Sequence, residues 1–266
     1  MIVGVWNPRK RKAWKLLRAY CEAAGGRVAQ VDTVRASRVD HHVFYGVDDR
    51  TRQVWERVRS GGFTYIDNGY FRSKYHGAVP AYYRITRGAP QHSGIGRSDG
   101  ERWAALGIEL APWRTDGDHV VVALQSAWWF ERHAIIRDEW VMHVVETVGE
   151  LTGRPVVVRD KPSRESVLTA TDDPLHGAWC VVTHSSNVAV DAIVRGVPAI
   201  VLGESAARPM AGVSLDQVAA PPTPAGREMW AAVLADNQWT RAEIASGLAL
   251  EMLDKQRARG VRRGHG

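Results

Sequence analysis

The chain has 266 residues, of which 45% are hydrophobic and 24% charged, values typical of a folded globular protein rather than a disordered one. Its formal net charge of +6 favours partners that carry phosphates. Two cysteines are too few for a disulfide framework or a cysteine zinc site, and no segment stays apolar for the roughly 20 residues of a membrane span. The first residues also lack the pattern of a signal peptide, so we expect a cytoplasmic protein that does not interact with membranes.

Strands and helices alternate along the first half of the chain, which predicts a parallel, doubly wound sheet. Strands are expected at 2–5, 27–31, 42–45 and 63–66, and helices at 12–24, 51–59 and 101–106. The alternation fails between Asn68 and Gly100, a stretch rich in glycine, tyrosine and arginine. There we expect long functional loops with one short strand at 82–85.

The second half repeats the alternation, beginning with an apolar run typical of a buried strand. Strands are expected at 119–124, 155–158, 179–183 and 199–202, and helices at 136–151, 187–195, 227–235 and 240–255. The sequence therefore predicts an α/β protein with two Rossmann-like domains, residues 1–114 and 118–256, that face a cleft and carry C-terminal helices. Residues 257–266 are expected to be a basic, disordered tail.

The most informative segment is 179–203, WCVVTHSSNVAVDAIVRGVPAIVLG. The expected strand ends in a run of polar residues, His184, Ser185, Ser186 and Asn187. A helix follows, and the unpaired backbone N–H groups at such a helix start can bind a diphosphate. Asp191 lies about one turn inside this helix, where a carboxylate can reach the ribose hydroxyls of a nucleotide. Alternatively, this is an ordinary α/β domain in which Asp191 is solvated.

This segment resembles the nucleotide-sugar half of GT-B glycosyltransferases, which include capsule-polysaccharide transferases and the lipid II-forming N-acetylglucosaminyl transferase. In those families a Ser- or Gly-rich turn is followed by a carboxylate, usually Glu, five residues before a Gly-x-Pro turn. Asp191 and Gly196-Val197-Pro198 match that spacing. The whole chain also looks similar to compact phage-encoded proteins of this superfamily. The resemblance implies an enzyme that uses a nucleotide-sugar, such as a UDP-sugar, and no other cofactor.

Other polar residues at expected strand ends are candidates for the same site, because ligands bind at the carboxyl ends of strands in open α/β sheets. Gln125 and Ser126 follow the first strand of this half, and Glu204 follows the last. Arg159 and Lys161 follow the second strand, where they either neutralise the leaving diphosphate without a metal ion or form a surface turn.

A glycosyltransferase also needs a general base for the acceptor hydroxyl, which we expect from the N-terminal half. Asp67, at the end of the strand at 63–66, is the first candidate, and His92 in the following loops is the second. Asp116-Gly117-Asp118 formally matches a metal-binding Asp-x-Asp motif, but it precedes a strand. We expect it to form a turn and predict no metal site.

Basic residues in the first half predict the acceptor. Four cations stand together at the start of the first helix, Arg9, Lys10, Arg11 and Lys12. Positive charge there opposes the helix dipole unless an anion binds. Arg72 and Arg97 extend the basic character among tyrosines, a combination that suits DNA.

We therefore expect the acceptor to be a 5-hydroxymethylated pyrimidine in DNA, as in a phage-encoded modification enzyme. The alternatives are a polysaccharide or lipopolysaccharide acceptor, a non-catalytic nucleic-acid-binding module with a degenerate nucleotide site, and a nucleotide-sugar epimerase.

Overall fold

The structure is a computed structural model that describes residues 1–34, 39–73, 76–160 and 173–261. Its strands are β1 (Ile2–Trp6), β2 (Arg27–Gln30), β3 (His41–Tyr45), β4 (Phe63–Asn68), β5 (Tyr82–Arg87), β6 (His119–Ala123), β7 (Val156–Arg159), β8 (Ala178–Thr183), β9 (Ala199–Val201) and β10 (Gln238–Thr240). Its helices are α1 (Arg11–Ala23), α2 (Asp49–Val58), α3 (Glu101–Leu106), α4 (Ala127–Arg132), α5 (Arg137–Thr152), α6 (Val188–Val194), α7 (Arg227–Ala235), α8 (Arg241–Ala245) and α9 (Leu248–Val261).

The chain forms two compact units, one of residues Met1–His92 with Ala235–Gly266 and one of residues Ser93–Leu234. The first unit holds a six-stranded sheet in the order β10-β5-β4-β3-β1-β2. Helix α1 forms because its apolar residues recur every three or four positions, and this face is buried against the sheet. Gly4 in β1 allows the close approach, since a Cβ there would lie 2.9 Å from the Cys21 Sγ atom.

The first sheet is mixed, so the expectation of a purely parallel sheet is wrong. Strands β1 to β4 are parallel, but β5 runs antiparallel to β4, and β10 runs antiparallel to β5. A parallel neighbour requires a crossover, usually a helix, whereas an antiparallel neighbour needs only a connecting loop. The irregular stretch after Asn68 supplies that loop.

The C-terminal segment belongs to the first unit, although the sequence analysis assigned it to the second domain. Trp239 of β10, Ile244 of α8 and Leu253 of α9 are buried in one cluster with Leu16 and Leu17 of α1. Helix α9 reaches Val261, so the beginning of the expected tail is helical. Residues 262–266 and Lys161 lie outside the described residues.

The second unit holds a four-stranded parallel sheet in the order β7-β6-β8-β9, as the alternation of strands and helices predicts. On one face, Val144 and Val148 of α5 share a buried cluster with Val120 and Val122 of β6. On the other face, α6 packs in a second cluster. Among the described residues, no helix is long and apolar enough to cross a membrane.

Residues 93–114 also belong to the second unit rather than to the first domain. The Ala111 N–H donates to the Val194 carbonyl, and the Arg114 N–H donates to the Gly196 carbonyl at 2.7 Å. Gly196 has a positive φ of 75°, and a Cβ there would lie 2.9 Å from the Pro112 carbonyl carbon and closer still to its oxygen. The glycine of the Gly-x-Pro turn is thus required by packing inside this unit.

Candidate functional site

The carboxyl ends of the four strands of the second sheet stand side by side. Ala123 at the end of β6 pairs with Arg159 of β7 and with Thr183 of β8, and Thr183 pairs with Val201 of β9. The candidate nucleotide-sugar residues of the described chain follow or form these ends: Gln125, Ser126, Arg159, His184, Ser185, Ser186, Asn187, Asp191 and Glu204. The structure therefore gathers them along one edge of one sheet.

The Gln125 side chain forms hydrogen bonds with the loop after β8. Its side chain is buried, and the amide orientation that satisfies both of its ends places Oε1 2.7 Å from the Ser185 nitrogen and 3.1 Å from the Ser186 nitrogen. These two N–H groups were among those expected to bind a diphosphate. Because Gln125 already accepts from them, its position indicates a supporting role, and the loop offers a ligand fewer backbone donors than the sequence suggests.

Helix α6 is short, and at its start the Ser186 hydroxyl accepts a hydrogen bond from the Val188 N–H at 3.4 Å. Its N-cap residue is Asn187, whose side chain makes no capping hydrogen bond. The first turn is closed by the carbonyls of Ser186 and Asn187, which accept from Ala189 and Val190. The polar side chains of Ser185, Ser186 and Asn187 are half-buried at this edge and supply hydroxyl and amide groups beside the helix start.

Asp191 and Arg159 belong to a cluster of alternating charge. Burial lowers the pKa of Arg159, while the neighbouring carboxylates of Asp191 and Asp173 act in the opposite direction. Asp173 also pairs with Arg195, which lowers the pKa of that carboxyl. The charge of Arg159 is thus partly balanced by carboxylates within the protein.

The His184 ring packs in a cluster of aromatic rings with Trp129 and His133, which the sequence did not predict. Its ring lies 4.5 Å from that of Trp129, which stacks on His133 at 4.0 Å. Gly203 makes room for the ring, because a Cβ there would lie 2.8 Å from Nε2 and closer still to Cε1. In the sequence, this contact could have been predicted from Trp129 in α4 and His133 at the end of that helix, because side chains four residues apart lie on the same helix face.

The His184 imidazole can form a further hydrogen bond. Its Nδ1 atom is buried and has no hydrogen-bond partner within the part of the chain that the structure describes. Burial, and then the proximity of His133, lower the pKa of His184, so that the ring is neutral near pH 7. A neutral imidazole can donate one hydrogen bond and accept another. Glu204, which follows β9, is exposed.

Asp67, the first candidate base, is engaged in the first unit. Its Oδ2 atom accepts from the buried Arg84 guanidinium at 3.1 Å, and its Oδ1 atom accepts from the Asn68 backbone and side chain. Arg84 also donates to the Asn68 carbonyl and lies 5.4 Å from the Tyr70 ring centre. Both oxygens are occupied, so this geometry favours a structural role over proton abstraction.

His92 is the second candidate base, and its loop is anchored to Tyr70. Its backbone N–H donates to the Tyr70 hydroxyl at 2.9 Å, which anchors the loop. Burial lowers the pKa of the His92 imidazole, so the ring is neutral near pH 7 and able to accept a proton.

The basic residues divide into paired and exposed groups. Lys10 forms an ion pair with Asp48 at 3.0 Å, so its charge is already balanced within the first unit. Exposed cations without an ion-pair partner among the described residues are Arg9, Arg11, Lys12 and Arg97. Arg72 has a positive φ of 47°. The aromatic residues directly before Arg72, Tyr70 and Phe71, are buried and offer no ring at the surface.

The Asp-x-Asp sequence lies in the irregular segment that leads into β6, with a bend at Asp118. A Cβ on Gly117 would lie 2.7 Å from the Ala178 carbonyl carbon, and Asp118 hydrogen-bonds to the neighbouring His119. Within the described ranges, no group of three or more His, Cys, Asp and Glu residues is arranged to hold a metal ion.

Comparisons with known proteins identify structures with a similar fold but no related sequence. No protein-family model and no curated protein matches the sequence. The structure is similar to that of "Thermosulfurimonas dismutans KpsC, beta Kdo 2,4 transferase", with 14% identity and a TM-score of 0.53 over 87% of this chain and 89% of that chain. It is also similar to "Thermosulfurimonas dismutans KpsC, beta Kdo 2,7 transferase", with 15% identity and a TM-score of 0.52 over 94% and 99%.

The fold is of the GT-B type. The predicted α/β fold with Rossmann-like units is thereby confirmed. At this level of identity the similarity establishes the architecture, and the chemistry must be argued from the site.

Proposed function

We propose that the protein is a glycosyltransferase that moves a sugar from a nucleotide-diphosphate sugar to a hydroxyl group. The observation that carries this proposal is the row of polar side chains along the carboxyl edge of the second sheet, from Arg159 on β7 to Glu204 after β9. This edge is where open α/β sheets bind ligands. The two similar structures are those of sugar transferases, which supports the same reaction class here.

The donor is bound by side chains more than by the start of α6. Since Gln125 occupies the N–H groups of Ser185 and Ser186, the diphosphate is left with their hydroxyls, Asn187 and the imidazole of His184. Asp191 remains the candidate for the ribose. A UDP-sugar is our first choice of donor, and we propose that the reaction needs no divalent metal because Arg159, together with these hydrogen-bond donors, stabilises the leaving diphosphate.

Binding of UDP to the isolated protein tests the donor site. At about 100 times its dissociation constant, UDP should raise the free energy of unfolding by about 2.7 kcal/mol. Asp191→Ala should remove most of that increase, whereas Asp138→Ala, at an exposed carboxylate of α5, should not. Equal stabilisation of both variants would exclude Asp191 from the site. Transfer activity that EDTA abolishes and Mn²⁺ restores would contradict metal independence.

The proposed general base is His92, and Asp67 is the second candidate because Arg84 and Asn68 already engage both of its oxygens. His92→Gln or Asp67→Asn, whichever removes the base, should lower kcat by about 10²–10⁴ with little change in UDP affinity. Urea unfolding curves of both variants show whether lower turnover reflects loss of the base in a stable protein or destabilisation caused by loss of the Asp67–Arg84 ion pair. Normal turnover in both variants would place the base elsewhere.

The acceptor is proposed to be a glycan hydroxyl, because both similar structures are Kdo transferases by name. A 5-hydroxymethylated pyrimidine in DNA is the second candidate, favoured by the exposed Arg9, Arg11 and Lys12 at the start of α1. Mass spectrometry separates the two: DNA from cells that also express a base hydroxymethylase gains a sugar-sized mass only if DNA is the acceptor.

A further inference from the structure

A groove runs between α1 and α8 in the first unit, away from the strand ends described above. It encloses about 310 Å³ and is lined by Trp14, Lys15, Arg18, Ala19, Glu22, Arg241 and Ala245. We call it the α1–α8 groove. Cations stand on both of its sides, with Lys15 and Arg18 on α1 and Arg241 on α8.

The surface around the groove carries uncompensated positive charge. No acidic residue lies between Arg9 and Cys21, and the only carboxylate in the groove lining, Glu22, is paired with Arg18 at 2.6 Å. Exposed cations without an ion pair among the described residues are Arg9, Arg11, Lys12, Lys15 and Arg241. Such crowding is unfavourable for an isolated protein, and it is relieved when an anionic partner binds.

The groove also contains an aromatic side chain. Trp14 is half-buried, with its ring 6.4 Å from that of Trp6 in an edge-to-face arrangement. The Arg18 guanidinium lies 5.1 Å from the Trp14 ring centre. A tryptophan in a groove with cations on both sides provides a stacking surface for a base and partners for the phosphates that flank it.

We propose that the α1–α8 groove binds a single-stranded nucleic acid, with phosphates on Lys15 and Arg241 and a base on Trp14. An anionic membrane surface is the less suitable partner, because the apolar residues of α1 that would enter a bilayer are buried against the sheet. This proposal deepens the second candidate acceptor, DNA, but binding can be measured without any sugar transfer.

Fluorescence anisotropy with a labelled thymidine oligonucleotide of about 12 residues tests the groove. Binding should weaken linearly in a log–log plot against salt, and Lys15→Ala/Arg241→Ala should reduce the slope by about 1.4 if each cation neutralises one phosphate. The matched control is Arg27→Ala/Arg208→Ala, which removes two exposed cations outside the groove and should leave the slope unchanged.

Trp14→Ala should lower affinity by roughly fivefold to 150-fold, the range found for loss of one stacked base. Trp14→Phe keeps an aromatic ring and should retain most of the affinity, and thermal unfolding by circular dichroism confirms that the variants fold. If Trp14→Ala does not fold, the charge variants and Trp14→Phe carry the test.

An unchanged slope in the Lys15/Arg241 variant, or absence of binding at low salt, would overturn the proposal. So would stronger binding to phosphatidylglycerol vesicles than to the oligonucleotide. Failure of the glycosyltransferase assay with intact oligonucleotide binding would reject the proposed reaction and leave the groove assignment standing.

Discussion

The fit between Gly203 and His184 yields a prediction that can be calculated from the structure. In Gly203→Ala, the new methyl group would lie 2.8 Å from Nε2 of His184 and closer still to Cε1 and Nδ1, whereas carbon atoms are attracted to their neighbours at about 3.5–4.0 Å. Gly203 does not have a positive φ, so the backbone itself tolerates alanine. The imidazole must therefore move by about an ångström, away from its tilted contact with the Trp129 ring.

Overpacking of this kind costs about 1–3 kcal/mol, which urea unfolding resolves. The decisive measurement is a double-mutant cycle with His184→Ala, in which the ring that the new methyl group would strike is absent. The cost of Gly203→Ala should then fall to within about 0.5 kcal/mol of zero, which gives a coupling energy close to the whole effect. Additive effects of the two substitutions would show that the ring does not lie against Gly203 and would refute the reasoning.

Three further predictions concern individual residues within each of the two units. Burial lowers the pKa of His42 from its ordinary 6.5, so the unfolded chain binds a proton as the pH falls through 6.5 while the folded protein does not. The free energy of unfolding should therefore decrease as the pH falls through this range. In urea titrations between about pH 5 and 8, His42→Phe should make this decrease smaller. Asp67→Asn should lower the free energy of unfolding by about 3 kcal/mol, because it leaves Arg84 buried without its carboxylate; a change below about 1 kcal/mol would mean that the pair is solvated. Gly196→Ala should be at least as damaging, since the methyl group meets the Pro112 carbonyl and the positive φ disfavours alanine, and a melting temperature equal to that of the parent would contradict the packing described for this turn.

Local patterns in the sequence determined the type and order of most elements. Short valine-rich runs such as 119–123 favour buried strands over helices because β-branched residues are enriched in strands, and the spacing of apolar residues in α1 indicates which face of that helix packs. Polar residues directly after such strands, including His184 and Asn187, must lie at the carboxyl edge of a parallel sheet. The alternation of strands and helices therefore fixed the fold class and the side of the sheet that carries the candidate site.

Contacts between distant parts of the chain decided the rest. The Phe71 N–H donates to the Gln238 side chain, 167 residues away, and through such contacts β10 joins the first sheet although its own sequence is short and carries no distinctive pattern. In the same way, only the folded chain shows that Gln125 takes the N–H groups of Ser185 and Ser186, and that Asp67 faces Arg84. Hydrogen bonds and ion pairs of this kind depend on which side chains meet in space, and periodicity along the chain carries no information about that.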